Sequence, residues 1–228
     1  VFNDRGIYCE KADVYLDPWK PVDKAIISHG HADHSRWGNK HYIMHHDTIP
    51  IAKHRLGEIN VSGVEYGESF SVNGVKFSLH PAGHVIGSAM IRVEHQGEVW
   101  VFSGDYKTEA DGVSAAYQPV ECHTFITECT FGLPAFKWKP QDQVMREINE
   151  WWKKNREDGR TSVLFAYALG KAQRVMKYLD TSIGDIHTHG AIENLTEVLR
   201  PMIDLPETTR ITRDTKKNDI TGEIGRAV

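Results

Sequence analysis

Short runs in which apolar and polar residues alternate occupy the first half of the chain, and this pattern is typical of β-strands with one buried face. The predicted strands lie within residues 7–16, 24–28, 41–45 and 59–103. Asn73-Gly74 and Gln96-Gly97 each separate two such runs and predict tight hairpin turns. Helices are predicted at 32–37, ending before Gly38, and near 50–56. The first half of the chain is therefore predicted to be mainly β.

From residue 124 onward, strands alternate with helices, which is typical of a parallel α/β unit. The predicted strands are 124–127, 161–168, 185–189 and 209–212, and the predicted helices are 141–156, 171–179 and 192–203. Gly132, Pro134 and Pro140 cluster ahead of the first of these helices and interrupt regular structure. We therefore expect two domains, 1–132 and 133–228, within an overall α/β fold class.

The composition of the 228 residues, of which 40% are hydrophobic and 25% charged, is that of a globular protein with a buried core. No run approaches the roughly 18 to 20 apolar residues of a membrane span, and no signal-peptide pattern is present. The three cysteines are odd in number and lack the paired spacing of zinc ligands, which favours a reducing cytoplasm. The net charge of −4 does not exclude nucleic acid as a partner, because bound cations would offset it locally. We expect a cytoplasmic protein with no membrane partner.

Thirteen histidines are many for this length, and three of them lie in one hexapeptide, His29-Gly30-His31-Ala32-Asp33-His34. This histidine cluster directly follows the apolar residues 25–27, so it lies where a buried strand ends. Neutral imidazole and carboxylate are the ligands of catalytic zinc sites, whereas structural zinc sites usually include cysteine. The cluster therefore predicts a catalytic metal site, and a histidine-rich surface loop is the alternative without function.

Two further polar residues, His84 and Asp105, lie in glycine-containing loops that follow predicted strands. Taken alone, a histidine in such a loop is usually an ordinary polar residue, and an aspartate is a turn residue or a helix cap. Both loops, however, begin at strand ends, as the histidine cluster does, and strand ends on one edge of a sheet converge. We therefore expect His84 and Asp105 to join the histidine cluster.

The spacing of these residues resembles the metallo-β-lactamase superfamily, whose αββα sandwich holds one or two metal ions at a sheet edge. The resemblance implies two zinc ions at one centre, with manganese as an alternative ion. The implied ligands are, for the first ion, His29, His31 and His84, and for the second ion Asp33 and His34, with Asp105 bridging both.

A narrower resemblance, to the β-CASP nucleases of that superfamily, rests on Thr127-Glu128-Cys129-Thr130-Phe131-Gly132 and on Ala168-Leu169-Gly170-Lys171-Ala172-Gln173. In that branch, an acidic residue closes the lactamase-like part, and an α/β domain is inserted as a lid. The implied fold is an αββα core with an incomplete β-CASP lid. The chain is also similar to the bacterial ligase-associated DNA exonucleases at 7–9, 17–19, 34–38, 122–128 and 188–191.

The resemblance implies an enzyme that hydrolyses phosphodiester bonds in nucleic acid, with DNA favoured, an exonuclease mode and a role in DNA repair. It also implies an ATP-dependent DNA ligase as a protein partner. Asp33 would orient the attacking hydroxide as well as bind metal, and Glu128 would help to protonate the leaving group. Lys171 and Arg174 at the start of a predicted helix are candidate phosphate-binding residues, although helices also begin this way for purely structural reasons.

The sequence departs from the β-CASP pattern near its C-terminus. Members of that branch carry two further histidines there, one on the second zinc ion and one working with the acidic residue at position 128, but no histidine follows His189 here. We therefore expect a truncated chain whose second metal is short of a ligand. Three alternatives remain open: an RNA-processing β-CASP nuclease, an inactive fragment or binding module, and a thioester or lactam hydrolase. The predicted strand–helix lid argues against the last of these.

Overall fold

The structure is a computed structural model that describes residues 1–216 and 220–227. The chain divides into two compact units, Val1–Phe131 and Gly132–Val228. The domain boundary predicted from the sequence lies one residue further along the chain. That the two units are a lactamase-like core and a lid stays a prediction. No helix in the described part of the chain combines the length and apolar character that a membrane span requires.

The first unit, all of whose residues are described, begins with a six-stranded sheet. Its strands, in both chain and spatial order, are β1 Phe2–Asn3, β2 Gly6–Cys9, β3 Val14–Leu16, β4 Lys24–Ile26, β5 His41–His45 and β6 Val61–Val64. Strands β3 to β6 pair in parallel, whereas β1 to β3 pair antiparallel. Parallel neighbours begin and end at the same edges of a sheet. The loops that follow β3, β4 and β5 therefore leave from one edge.

A second sheet in the first unit contains five strands in the order β11-β10-β9-β8-β7. These are β7 Ser69–Val72, β8 Val75–Pro81, β9 Ala89–His95, β10 Glu98–Phe102 and β11 Thr124–Ile126. Both predicted hairpins are confirmed: Asn73 and Gly74 join β7 to β8, and Gln96 and Gly97 join β9 to β10. All four turn residues have positive φ, between 49° and 84°, as a tight hairpin turn requires.

The two sheets pack face to face over one apolar core. Alternate residues of each strand point inward, since side chains alternate between the faces of a strand. The largest of these buried residues are Leu16, Ile26 and Ile43 from the first sheet and Phe77, Leu79, Ile91 and Phe102 from the second. The two-sheet sandwich of the predicted fold class is therefore confirmed.

The outer faces of the sandwich are covered in different ways. Helix α1, Thr48–Leu56, packs through Ala52 and Ile49 on the outer face of the first sheet. On the second sheet, Met90 and Val101 pack instead against side chains of the loop 103–123, including Tyr117. No helix lies over this face within the first unit, so the second helical layer expected of an αββα sandwich is replaced there by a loop.

The second unit is an α/β unit in its described residues, 132–216 and 220–227. Its four strands are β12 Ser162–Ala166, β13 Ile186–Thr188, β14 Thr209–Arg210 and β15 Gly222–Arg226, and its helices are α2 Gln141–Glu157, α3 Lys171–Lys177 and α4 Gly190–Leu199. All strand pairs are parallel, in the order β12-β15-β13-β14. Trp152 of α2, Met176 of α3 and Ile192 of α4 pack with Ile224 of β15 into one core. The predicted alternation of strands and helices is thus confirmed.

Replacing Phe77 by alanine is expected to destabilise the first unit by about 3–5 kcal/mol, because the substitution leaves a cavity between the two sheets. Urea unfolding of the wild type and the variant, followed by tryptophan fluorescence, measures this loss. Phe2→Ala is the matched control, since Phe2 is 66% exposed and its loss should change the free energy of unfolding by less than about 0.5 kcal/mol. Equal effects of the two substitutions would contradict the assigned core.

Candidate metal centre

The predicted site residues come together at one end of the first unit. The histidine cluster follows β4, His84 follows β8, Asp105 follows β10 and Glu128 follows β11. Strands β8 and β10 run in the same direction because each pairs antiparallel with β9, and β11 is parallel to β10. Their C-terminal ends therefore lie at one edge, and the expected convergence of His84 and Asp105 on the histidine cluster is observed.

Four of these side chains form a compact donor group: His29, His31, His84 and Asp105. The Nδ1 of His31 lies 3.0 Å from Nε2 of His29 and 3.1 Å from Nε2 of His84. The Oδ2 of Asp105 lies 3.3 Å from Nε2 of His84 and 3.8 Å from Nε2 of His29. Four donors placed tetrahedrally about 2.0–2.1 Å from a zinc ion are about 3.3 Å apart. The donor group therefore fits one zinc ion, and the ligand roles of its members stay predictions.

The electrostatics of this first donor group also suit a metal. Burial lowers the pKa of His29 well below its usual value, and the neighbouring histidines His34 and His31 lower it further. Burial, together with the same two neighbours, lowers the pKa of His84 to about 3. Both imidazoles are consequently neutral at physiological pH, which is the form that binds metal.

A second donor group consists of His34, Asp105 and Glu128. The Nε2 of His34 lies 3.7 Å from Oδ1 of Asp105 and 3.8 Å from Oε2 of Glu128. Asp105 thus turns one carboxylate oxygen toward each donor group. Burial is the main cause that raises the pKa of Asp105 and of Glu128, and the mutual repulsion of nearby carboxylates adds to it for Glu128.

Asp33, a predicted ligand of the second ion, is placed differently from the other predicted ligands. Its side chain is 67% exposed, and its Oδ2 lies 3.7 Å from Nε2 of His34. Among the described residues it belongs to none of the groups whose ligand atoms all lie close to one another. Its roles as a metal ligand and as the residue that orients the attacking hydroxide stay predictions.

Asp17 is a buried residue of the site that the sequence analysis did not identify. Its carboxylate accepts hydrogen bonds from the backbone N–H of Ser28, at 2.7 Å, and from the hydroxyl of Ser28. Its Oδ2 also lies 2.7 Å from Nδ1 of His34, which leaves Nε2 of His34 facing the second donor group. Burial alone would lower the pKa of His34, but the hydrogen bond to Asp17 and the nearby carboxylates raise it to about 9. The sequence feature that could have identified Asp17 is its position directly after a predicted strand.

The helix predicted at 32–37 is wrong, because these residues form turns. The backbone N–H groups of His34 and Ser35 both donate to the carbonyl of His31, which closes a single turn. Nη1 of Arg55, on α1, donates to the carbonyl of Gly30 at 2.7 Å. Arg55 and Asp17 thus hold this loop from both sides, through the carbonyl of Gly30 and the imidazole of His34.

The candidate phosphate-binding residues, Lys171 and Arg174, lie in the second unit. Nζ of Lys171 is 5.0 Å from the centroid of the Tyr167 ring, a cation–π contact. Gln173 caps α3 by accepting from the N–H of Gly170 at 2.8 Å, so this helix start has a structural explanation. A phosphate-binding role for Lys171 and Arg174 stays a prediction.

Comparison with known proteins adds to this geometry. No protein-family model matches the chain. A probable DNA ligase of Opitutus terrae is 28% identical over 85% of this chain and 19% of its own length. The endoribonuclease Ysh1 of Saccharomyces cerevisiae is 34% identical over 53% of this chain and 15% of its own. An RNase J-like protein of Methanocaldococcus jannaschii is 25% identical over 90% of this chain and 56% of its own.

These relatives confirm the predicted resemblance to the metallo-β-lactamase superfamily and its β-CASP branch. The chain spans about a fifth of the length of the first of them and about half of the third. A solved structure, a protein of unknown function from Enterococcus faecalis, has a TM-score of 0.61 at 13% identity and covers 90% of this chain and 58% of its own. At this identity the likeness shows the fold, and it agrees with the α/β class.

The first donor group is expected to bind zinc, and His84→Ala to weaken that binding by more than about 100-fold, because the loss of a ligand exceeds the 10–100-fold effect of losing an outer partner. Competition with a chromogenic chelator measures the affinity. His54→Ala is the matched control, since His54 lies on the exposed side of α1. Equal zinc affinity in His84→Ala and the wild type would contradict the assignment.

In the ion-free protein, His34 is expected to titrate near pH 9, and Asp17→Asn to return its pKa toward 6.5, because the charged acceptor of its hydrogen bond is lost. NMR titration of the imidazole signals measures both values.

The raised pKa of His34 also predicts how the stability of the ion-free protein depends on pH. Protonated His34 contributes to the free energy of unfolding. This contribution is fully present below pH 6.5 and is lost as the pH rises from 6.5 toward 9. In urea unfolding experiments, the free energy of unfolding of Asp17→Asn should fall less between pH 6.5 and 9 than that of the wild type. A variant that loses as much stability as the wild type over this range would count against the Asp17–His34 pair.

Proposed function

We propose that this protein is a metal-dependent nuclease that hydrolyses phosphodiester bonds in nucleic acid through a centre of two ions, zinc or manganese. The observation that carries the proposal is the position of Asp105 between two donor groups. Its Oδ2 lies 3.3 Å from Nε2 of His84, and its Oδ1 lies 3.7 Å from Nε2 of His34. A carboxylate with one oxygen toward each group suits two ions a few ångströms apart.

The chemistry divides between the ions and the protein. When bound, two such ions neutralise charge on a phosphate and lower the pKa of a water molecule so that it ionises at neutral pH. His29, His31 and His84 would hold the first ion, and Asp33 and His34 the second, with Asp105 shared. Neutral His29 and His84 offer lone pairs without first losing a proton.

Two carboxylates would handle the protons of the reaction. The carboxylate of Asp33, which is exposed beside His34, would accept a hydrogen bond from the attacking water and orient it toward phosphorus. Glu128, whose pKa is raised by burial and by Asp105, would take part in protonating the leaving oxygen. Lys171 and Arg174 would contact the phosphates of the bound strand.

DNA is the proposed substrate, and exonucleolytic cleavage in DNA repair the proposed mode. Support comes from the stretches that resemble ligase-associated DNA exonucleases and from the relative named probable DNA ligase, which aligns with 85% of the chain. An ATP-dependent DNA ligase is the proposed partner on the same grounds. The cytoplasm is the proposed location, because all three cysteines are free, as in reducing compartments.

RNA processing is the second candidate function. It is favoured by the relatives named endoribonuclease Ysh1 and RNase J-like protein, the latter aligning with 90% of the chain. The geometry of the metal centre is common to both candidates, because a phosphodiester is hydrolysed in each case. The identity of the nucleic acid therefore has to be measured.

The experiment is to incubate the protein with end-labelled DNA and RNA of one sequence, each single- and double-stranded, with zinc, with manganese and with EDTA. We expect mononucleotide release from DNA with metal and none with EDTA. Asp105→Asn should lower the rate by at least about 100-fold, because it removes the charge shared by both donor groups. His54→Ala is the control variant and should leave the rate of hydrolysis unchanged.

Internal cleavage of RNA in place of DNA would select the second candidate. Hydrolysis of a thioester or a lactam without any nuclease activity would overturn both candidates. Metal binding without any hydrolysis would identify an inactive binding module.

A further inference from the structure

The carboxyl ends of the four strands in the second unit lie at one edge of its sheet, because every strand pair is parallel. In open parallel sheets, ligands bind at this edge. Three cationic residues with exposed side chains lie along it: Lys171 begins α3 after β12, Arg210 ends β14 and Arg226 ends β15. The edge therefore suits a ligand that carries negative charge.

Two exposed aromatic rings lie beside these cations, at the end of β12. Phe165 belongs to the strand, and Tyr167 follows its last residue, Ala166, whose carbonyl still accepts from the backbone N–H of Ala227 beside β15. Residues two apart in an extended chain point to the same side. The rings are 73% and 55% exposed, whereas Ala166 points to the opposite face and joins the helix-packed core. Phe165 and Tyr167 thus present aromatic surface to solvent.

Each ring also has a neighbour that fixes its position. Phe165 pairs with Gly225 of β15, and a Cβ atom at Gly225 would lie 3.1 Å from two atoms of the Phe165 ring. The glycine therefore lets this ring lie close over the neighbouring strand while the rest of the ring stays exposed. Nζ of Lys171 lies 5.0 Å from the centroid of the Tyr167 ring, so a cation adjoins the second ring. Exposed rings next to cations are the features of surfaces that bind single-stranded nucleic acid.

We propose that this edge of the second unit binds a single-stranded stretch of nucleic acid. Bases stack on Phe165 and Tyr167, and phosphates contact Lys171 and Arg226. The proposal rests on the nuclease activity of the proposed function and adds the form of the substrate that the protein takes. Because every base has a π-face, stacking tolerates any sequence, and unpaired bases offer their faces more readily than paired ones.

The test is to measure, by fluorescence anisotropy, how the whole protein binds a fluorescein-labelled single strand in EDTA. Phe165→Ala is expected to weaken binding at least about fivefold, because one base–aromatic stack is lost. Phe165→Leu keeps apolar bulk without a π-face and should bind as weakly, whereas Phe165→Trp should bind at least as tightly as the wild type. Val163→Ala is the matched control, since Val163 lies on the same side of β12 and is 39% exposed but is not aromatic. It should bind normally.

A strand with abasic sites keeps the phosphates and separates the two kinds of contact. Phe165→Ala and the wild type should bind this strand equally. Lys171→Ala should weaken the binding of both strands and reduce the slope of log affinity against log salt concentration by about 0.7. The strands are measured as DNA and as RNA of one sequence. A loss in Phe165→Ala with either polymer supports the proposal, and the polymer bound more tightly is the one this edge prefers.

Equal affinity of Phe165→Ala and the wild type for the base-containing strand would overturn the proposal, as would a duplex bound as tightly as the single strand. Hydrolysis of nucleic acid by the wild type with metal would show, in either case, that the proposed function stands without this binding edge. Neither binding nor hydrolysis by the wild type would refute the proposed function and the binding edge together.

Discussion

The packing of the two sheets against each other is the interaction on which the candidate metal centre depends. Residues such as Phe77, Leu79 and Ile91 are fully buried between the sheets, and their burial holds the strands in fixed register. The loops that carry the histidine cluster and Asp105 begin where those strands end. No single loop brings the donor atoms together, and they meet because two sheets present their C-terminal edges at one place.

A second constraint is the polar network beneath the donor groups. Asp17 is almost fully buried and carries a carboxylate, which is costly unless hydrogen bonds satisfy it. Ser28 donates to it twice, and His34 pairs with it through Nδ1. This network fixes which nitrogen of His34 is free and which way it points. Outer partners of this kind commonly orient the histidines of metal sites.

The proposed metal centre would also explain how a negatively charged protein could act on a negatively charged polymer. The chain has a formal charge of −4, and several of its carboxylates crowd around His34. Without cations, such a site would repel phosphate. In the proposed two-ion centre, the charge of the ions would offset that of these carboxylates, and the same carboxylates would hold the ions that attract the phosphate.

Much of the local structure could be predicted from the sequence. The hairpins at Asn73 and Gln96 and the strand–helix alternation after residue 124 follow from patterns of neighbouring residues. The clustering of His84 and Asp105 with His29 was expected for another reason, because each of their loops follows a predicted strand. Side-chain alternation and turn conformation are set within a few residues of the chain, so sequence patterns report them directly. The candidate ligands can also be identified from the sequence, because only a few types of side chain bind metal ions.

Other features were decided only in the tertiary structure. Asp17 reaches His34 across 17 residues, and His31 meets His84 across 53. The helix predicted at 32–37 gives way to turns because Asp17 and Arg55 hold that loop, and β15 inserts between β12 and β13 although it is last in the chain. Glu128 reaches His34 because β11 pairs with β10 across the loop 103–123. Each of these features is a contact between residues far apart in sequence, and such contacts are set by which surfaces pack together when the whole unit folds.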